Sequence, residues 1–342
     1  MTGPYLLTGA SGWFGRTALH AYEQAHGPEA LRREVIPFAS RERWVEFGSR
    51  QGPVLARPLA AITEVPDPAG LLHLAFLTRD KVAELGLEAY VASNRAITAT
   101  VGQLLHAWPA MPVVTTSSGA AAALDGQPPD LDGNPYASLK QEEEALLERE
   151  AASRMAVVFR VFAASGQFMT RPQKFALGDV LLQAMAGEAI RIRAPHRVTR
   201  SYVSVESLMA LSWQLLQQPD APGCLQRIDA CTDTLTLQEL AQLVGDETGA
   251  AVISPEILSG AVHDNYQGDL TRFRTLLSRR QLQPLTMAEQ IRLTLTGLRA
   301  GTEYGHGIRA PLSPPVPRAR SGGLGEIRGE LANVVERPDE AP

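Results

Sequence analysis

Short runs of consecutive apolar residues recur along the first half of the chain, separated by stretches in which apolar residues return every three or four positions. The runs are "YLL" at 5–7, "REVIPFA" at 33–39, "GPVLARPL" at 52–59, "GLLHLAFL" at 70–77, "MPVVTTSS" at 111–118 and "MAVVFRVFAA" at 155–164. Unbroken apolar character predicts strands covered on both faces, because a strand with one wet face alternates instead. The helical period marks "WFGRTALHAYEQAH" at 13–26, "EAYVASNRAITATVGQLLHAW" at 88–108 and "YASLKQEEEALLEREAA" at 136–152, the last with a charged outer face. Strands alternating with helices predict an α/β fold, a doubly wound parallel sheet with helices on both faces.

The pattern loosens from about residue 166. "GDVLLQAMAGEAIRI" at 178–192 reads as helix then strand, and "RSYVSVESLMALSWQLLQ" at 200–217 as strand then helix. "TLTLQELAQLVGDETG" at 234–249 reads as a helix capped by Thr236. "TMAEQIRLTLTGLRAG" at 286–301 is a last helix closed by Gly301. The expected organisation is a first unit over 1–165, a smaller C-terminal α+β lobe over 166–300 with later segments returning to the first unit, and a Gly/Pro-rich tail over 301–342.

Composition narrows the classes. Of 342 residues, 44% are hydrophobic and 20% charged, with net charge −5, which fits a soluble globular protein. No basic stripe is present, so a nucleic-acid partner is not expected. The two cysteines, Cys224 and Cys231, make neither a disulfide framework nor a zinc pattern and read as small buried side chains, so no metal site is expected. No apolar run approaches the roughly 20 residues that span a bilayer, and no basic-then-apolar leader opens the chain. A cytoplasmic protein without membrane contact is expected.

Gly9, Gly12 and Gly15 form a GxxGxxG pattern between the first strand and the first helix. Such a loop suits a dinucleotide. The first glycine makes a tight turn, the second admits a pyrophosphate to the backbone, and the third lets the helix pack close with its amides facing the phosphates. An ordinary glycine-rich turn is the competing reading. The second strand ends in "FASRERW" at 38–44, with no acid at the turn and with Ser40, Arg41 and Arg43 there. A serine with arginines suits a 2′-phosphate, which favours NADP over NAD. The arginines could equally belong to a solvated loop, leaving Glu42 to hold a ribose.

"NPYASLKQ" at 134–141 places Tyr136 and Lys140 at i,i+4 on one helix face. A lysine beside a phenol lowers its pKa and makes it a proton donor or acceptor near neutrality, although a surface pair has the same spacing. Just before them "VVTTSSG" brings Ser117 and Ser118 to the carboxyl edge of the sheet, where ligands bind in open α/β folds.

Glycine loop, serines and Tyr/Lys pair in this order resemble the extended short-chain dehydrogenase/reductases, the NAD(P)-dependent epimerase/dehydratase type that modifies nucleotide sugars on a Rossmann-type sheet. The resemblance covers about residues 4 to 300. It is carried by "TGASGWFG" (8–15, with Ser11, Trp13 and Phe14), "HLAF" (73–76, with Leu74 and Ala75), "SNRAITATVGQLL" with Asn94, "FRVFAASGQ" (159–167), "RVTRSYVSVESL" (197–208), "DLTRFRTLL" (269–277) and "PLTMAEQIRLTL" (284–295). It implies that Tyr136 is the general acid/base, that Lys140 bonds the nicotinamide ribose and tunes Tyr136, and that Ser118 bonds the substrate oxygen, with Ser117 as the alternative register. Ser11, Trp13, Phe14, Leu74, Ala75 and Asn94 would contact the cofactor, and Arg200 a nucleotide diphosphate, with Arg191, Arg193, His196 and Arg197 nearby in sequence. A basic loop with no ligand competes with that last assignment. A homodimer through helices near 88–108 and 136–152 is also implied.

Departures from the family pattern refine this. Arg57 stands where the third strand usually has an Asp, which adds positive charge on the adenosine side. Ala163 and Gln167 replace the usual Asn and Pro, and Glu206 with Ser207 replaces a more usual acidic pair. "SSGAAAA" at 117–123 lacks the Asp-Glu pair of the 4,6-dehydratases, which argues against elimination chemistry. The leading expectation is an NADPH-dependent ketoreductase of a nucleotide-linked keto sugar or similar polar carbonyl compound. An NAD-dependent sugar epimerase and a non-catalytic dinucleotide-binding protein are the alternatives.

Overall fold

The computed structural model describes residues 3–223, 225–257 and 260–303. Cys224 and the tail over 304–342 therefore lie outside the described residues. The chain runs β1 (Tyr5–Thr8), α1 (Trp13–His26), α2 (Pro28–Glu34), β2 (Val35–Ala39), β3 (Arg43–Val45), β4 (Val54–Pro58), β5 (Gly70–His73), α3 (Lys81–Leu85), α4 (Leu87–Ala107), β6 (Val113–Ser118), α5 (Gly119–Ala122), α6 (Pro135–Glu150) and β7 (Ala156–Val161). It continues with β8 (Ala163–Ser165), α7 (Ala176–Met185), β9 (Ile190–Arg191), β10 (Val198–Ser204), α8 (Val205–Gln217), β11 (Leu225–Ala230), β12 (Asp233–Thr236), α9 (Leu237–Thr248), β13 (Val252–Ile253), β14 (Asp264–Tyr266), α10 (Leu270–Arg279) and α11 (Met287–Glu303).

Eight strands form the main sheet in the order β11-β7-β6-β5-β1-β2-β4-β3, all parallel except the β3–β4 pair. The fold is α/β and Rossmann-like. Consecutive strand residues face opposite sides. Leu7, Leu72, Val114 and Val157 join the core under α1 and α8, whereas Leu6, Leu71, Val113 and Val158 join the one under α4 and α6. Both faces of the central strands are dry, which is why these strands read as unbroken apolar runs, whereas β3 and β4 at the edge keep exposed residues. Each such side chain contributes about 1.5–3 kcal/mol when fully buried. The strand order reverses between β1 and β5, so a crevice opens beyond their carboxyl ends.

A smaller sheet, with β10 between β12 and β14 and paired also to β8, lies in the second half of the chain. Its neighbours are not a separate core: Leu240, Val244, Phe273 and Ile291 belong to the same apolar cluster as Leu7 and Leu19. Thr236 caps α9 in a reciprocal capping box with Glu239. Arg154, fully buried, donates to the carbonyls of Leu105, Trp108 and Glu150, satisfying groups at the ends of α4 and α6.

Several boundaries differ from the sequence reading. β5 stops at His73, because the amides of Leu74 and Ala75 turn to the Thr8 hydroxyl. Residues 43–45, read as loop, form an edge strand antiparallel to β4. β11, not read as a strand, pairs with β7. Helix α2 precedes β2, and α11 continues past Gly301 to Glu303.

Candidate active site

The glycines divide their work as the motif predicts. Gly9 has φ +69°, and a Cβ there would stand 2.6 Å from the Leu74 carbonyl carbon. A Cβ on Gly15 would meet the Gly9 oxygen at 2.2 Å, so α1 can approach the loop only without one. At Gly12 the protein asks for less: its nearest neighbour is the Gly9 oxygen at 3.3 Å, and the residue is exposed. Gly12 is also the N-cap of α1, and no side chain caps that helix. The amides of its first turn are thus left for an external acceptor, a fit for a pyrophosphate. Ser11 is half-buried beside them. Phe14 is half-buried, but Trp13 turns its indole into the core against Phe14 and Phe175, leaving only its backbone for a ligand.

Ser40, Arg41 and Arg43 follow β2 at its carboxyl end, all exposed, and Arg57 is exposed on the neighbouring strand opposite Phe38. Arg41, Arg43 and Arg57 have no ion pair among the described residues. Asn94 is fully buried; its amide accepts from the Leu77 N–H at 2.8 Å and donates to the Leu77 carbonyl. It holds the backbone of Leu77, in the segment after β5 that also contains Leu74 and Ala75.

Beyond β6 the register separates the two serines. Ser117 is buried with an unpartnered hydroxyl. Ser118 N-caps α5 by accepting from the Ala120 N–H, and its hydroxyl lies 3.2 Å from the Tyr266 hydroxyl. Ser118 also faces the Tyr136 phenol and pulls its pKa down. Ser118 and Tyr136 are thus brought together, and Ser117 is not.

Asn134 caps α6, with Pro135 in its first turn, and the helix carries Tyr136 and Lys140 on one face. The Lys140 ammonium donates to the Thr116 carbonyl at 2.9 Å and to Glu143 at 2.7 Å, and stands 3.8 Å from the Phe76 ring centre. Phe76 meets Tyr136 edge-on at 5.7 Å. The expected lowering of the phenol's pKa is not found. Burial pushes Tyr136 up and is the largest effect; Ser118 pulls it down, Glu143 adds a lesser push upward and Arg79 a still smaller pull, and the net direction is upward.

Several functional neighbours were missed from sequence. Tyr266, whose hydroxyl burial pushes up to about 12, arrives from β14. Thr8, His73 and Glu143 form a buried chain behind Lys140. The run "KQEEE" was read as part of a charged outer face, yet Glu143 and Glu144 are both 2% exposed. Their i+3 and i+4 spacing from Lys140 was the available signal. Burial would raise the Glu143 carboxyl, but Lys140 and His73 outweigh it and hold it below the ordinary range. Its stabilisation is therefore complete above the ordinary glutamate pKa and is lost as pH falls through the depressed folded value. Glu143→Gln should cost about 1.5–3 kcal/mol at neutral pH. In urea melts at stepwise lower pH the gap to wild type should close, because a protonated Glu143 resembles glutamine; a constant gap would contradict the ion-pair assignment.

Arg200 is less available than expected. It makes a bidentate pair with Asp264 at 3.0 and 2.7 Å and donates also to the Thr199 carbonyl. Arg191 and Arg193 are exposed nearby in sequence. Cys231 is buried, and burial pushes its thiol up to about 12, so it is no nucleophile. Among the described residues, no cluster of His, Cys, Asp or Glu is placed to hold a metal, and no helix is long and apolar enough to cross a membrane.

The model of the NAD dependent epimerase/dehydratase family matches residues 5–228. The chain belongs to this family. The family is described as NAD dependent, its solved neighbours include enzymes bound to NAD and one bound to NADP, and the glycine loop fits a nicotinamide dinucleotide. MoeE5, solved with UDP-glucuronic acid and NAD, superposes with TM-score 0.64 at 17% identity, covering 87% of this chain and 100% of that one. A dTDP-glucose 4,6-dehydratase from Bacillus anthracis, solved with NAD, gives TM-score 0.63 at 13% identity over 88% and 98% of the two chains. A GDP-L-fucose synthetase from Naegleria fowleri, bound to NADP, gives 0.62 at 13% identity over 88% and 94%. At these identities the likeness is one of fold. Comparison with curated proteins finds no significant match.

Proposed function

We propose that the protein is an NADP(H)-dependent ketoreductase acting on a nucleotide-linked keto sugar or a similarly polar carbonyl compound. The observation that carries this reading is the meeting of Ser118 and Tyr136 at the carboxyl edge of the sheet, with Lys140 behind them. When bound, the nicotinamide supplies a hydride to the carbonyl carbon. Tyr136 gives the oxygen its proton, and Ser118 bonds the same oxygen and orients it. Two of the three Lys140 protons are held by Thr116 and Glu143, which leaves the one over Phe76 for a ribose hydroxyl. The absence of an Asp-Glu pair after Ser118 speaks against dehydration.

Arg41 and Arg43, exposed and without ion pairs at the end of β2, support NADP over NAD. A substrate diphosphate would have to displace Asp264 from Arg200, or use exposed Arg191 and Arg193 instead. Helices α4 and α6, joined by the Arg95–Glu142 pair, are the surface through which we propose a homodimer.

The dinucleotide released from the purified protein should be identified by mass spectrometry, and the emptied protein titrated with NADPH and NADH. The Arg41→Ala/Arg43→Ala variant should weaken NADPH about 10- to 100-fold and leave NADH nearly unchanged, since charged hydrogen bonds contribute about 1.5–3 kcal/mol each before screening at an exposed site. Equal weakening of both cofactors would remove the 2′-phosphate assignment. Stoichiometric NAD⁺ carried through purification would favour the epimerase, with Glu42 on the ribose.

A further inference from the structure

Glu143 is a buried carboxylate whose two oxygens have different partners. Oε2 accepts from Lys140 Nζ at 2.7 Å, and Oε1 lies 2.7 Å from His73 Nε2, in ion-pair contact but not aligned for a hydrogen bond. The His73 tautomer follows from the other side of the ring. Thr8 Oγ1 accepts the N–H groups of Leu74 at 3.0 Å and Ala75 at 3.2 Å, so its own proton spans the 2.7 Å to His73 Nδ1. Nδ1 is the acceptor, and the ring proton sits on Nε2, facing Glu143. The chain of contacts crosses from β1 through β5 to α6 and ends on Lys140. The ammonium also donates to the Thr116 carbonyl and lies over the Phe76 face.

A bare ammonium beside a phenol favours the phenolate. A carboxylate in contact with that ammonium turns the cation into a dipole, whose field at the phenol is far weaker. We propose that Glu143, fixed by His73, is a positioning residue that neutralises Lys140 and so keeps Tyr136 a protonated donor, which suits the site to carbonyl reduction. This deepens the ketoreductase reading and rests on Tyr136 as the proton-transferring group. The groups facing Tyr136 are Glu143 on its own helix, Ser118 from β6, Phe76 and Arg79 from the segment after β5, Tyr90 from α4 and Tyr266 from β14, while Lys140, one turn along α6, lies over the same Phe76 ring that Tyr136 meets. Of the charged members, Arg79 is exposed and screened, which leaves the Lys140–Glu143 pair to decide.

The test is the ultraviolet titration of phenolate in the apoprotein, with the Tyr136→Phe protein subtracted so that Tyr136 alone is read. In the wild type Tyr136 should titrate above the ordinary tyrosine value of about 10. In Glu143→Gln it should fall by roughly one pH unit or more, and in Glu143→Gln/Lys140→Met the fall should vanish. Glu143→Asp keeps the charge but draws it back from Lys140, and should give a smaller fall with no risk from an uncompensated lysine. A wild-type Tyr136 that titrates below about 10 overturns the proposal, as does a folded Glu143 variant in which it does not move. The titration uses no substrate. Unimpaired turnover in Tyr136→Phe would instead sink the proton-donor reading, so the two failures are distinguishable.

Discussion

Tyr136→Phe should lower turnover by about 10²- to 10⁴-fold, the usual contribution of a positioned general acid. Dinucleotide affinity should stay nearly unchanged. The substitution removes one hydroxyl and leaves the ring, which still meets Phe76 edge-on. Ser118 keeps its contact with Tyr266 and its Ala120 amide, so α5 should hold its place. The loss should therefore fall on the chemical step and not on folding. Dinucleotide binding by fluorescence, circular dichroism and steady-state rates on keto-sugar nucleotides separate these terms. Turnover within a fewfold of wild type would mean that another group delivers the proton, and Tyr266 would be the next residue to change.

Arg160→Ala should destabilise the protein by about 3–5 kcal/mol, the cost of breaking a buried ion pair from one side. Arg160 lies on β7 with its side chain 7% exposed, and makes two hydrogen bonds to Glu144 of α6 and two to Asp125. Glu144 is 3% exposed at its side chain, so the variant leaves its carboxylate out of water with Arg227 as its remaining partner. The same contacts anchor α6, which carries Tyr136 and Lys140, to the sheet. Arg160→Lys should lose less, because charge is kept but the bidentate fork is not. Arg227→Ala should lose less again, since that side chain is 30% exposed and its partner Glu148 lies at the surface. Urea melts with unchanged slope would measure the difference. A loss under about 1 kcal/mol for Arg160→Ala would show that water replaces the arginine and that the pair is not buried in solution.

Much of this protein was legible in one dimension, where the physics is local. The apolar runs named strands, and all but β4, whose Leu55 and Arg57 face water, are covered on both faces, because alternation along a strand sends Leu6 and Leu7 to opposite sides of one sheet. Gly9 and Gly15 were legible because backbone geometry at a tight turn and at a close helix approach excludes a Cβ. The Thr236 cap, the Tyr136/Lys140 spacing and the family itself belong to the same class, each resting on residues a few positions apart or on ordered motifs.

Tertiary structure decided what depends on residues far apart in sequence. Glu143 looked like one member of an exposed acidic run until His73 and Lys140 were seen to enclose it. Arg200 looked free until β14 brought Asp264 beside it, and Tyr266 came to Ser118 by the same route. Asn94 was drawn inward by the Leu77 backbone. Each of these side chains is polar, so its pattern in the sequence suits solvent as well as a buried partner. Only the position of that partner settles which it is, because a charge leaves water where a counter-charge and hydrogen bonds offset its desolvation.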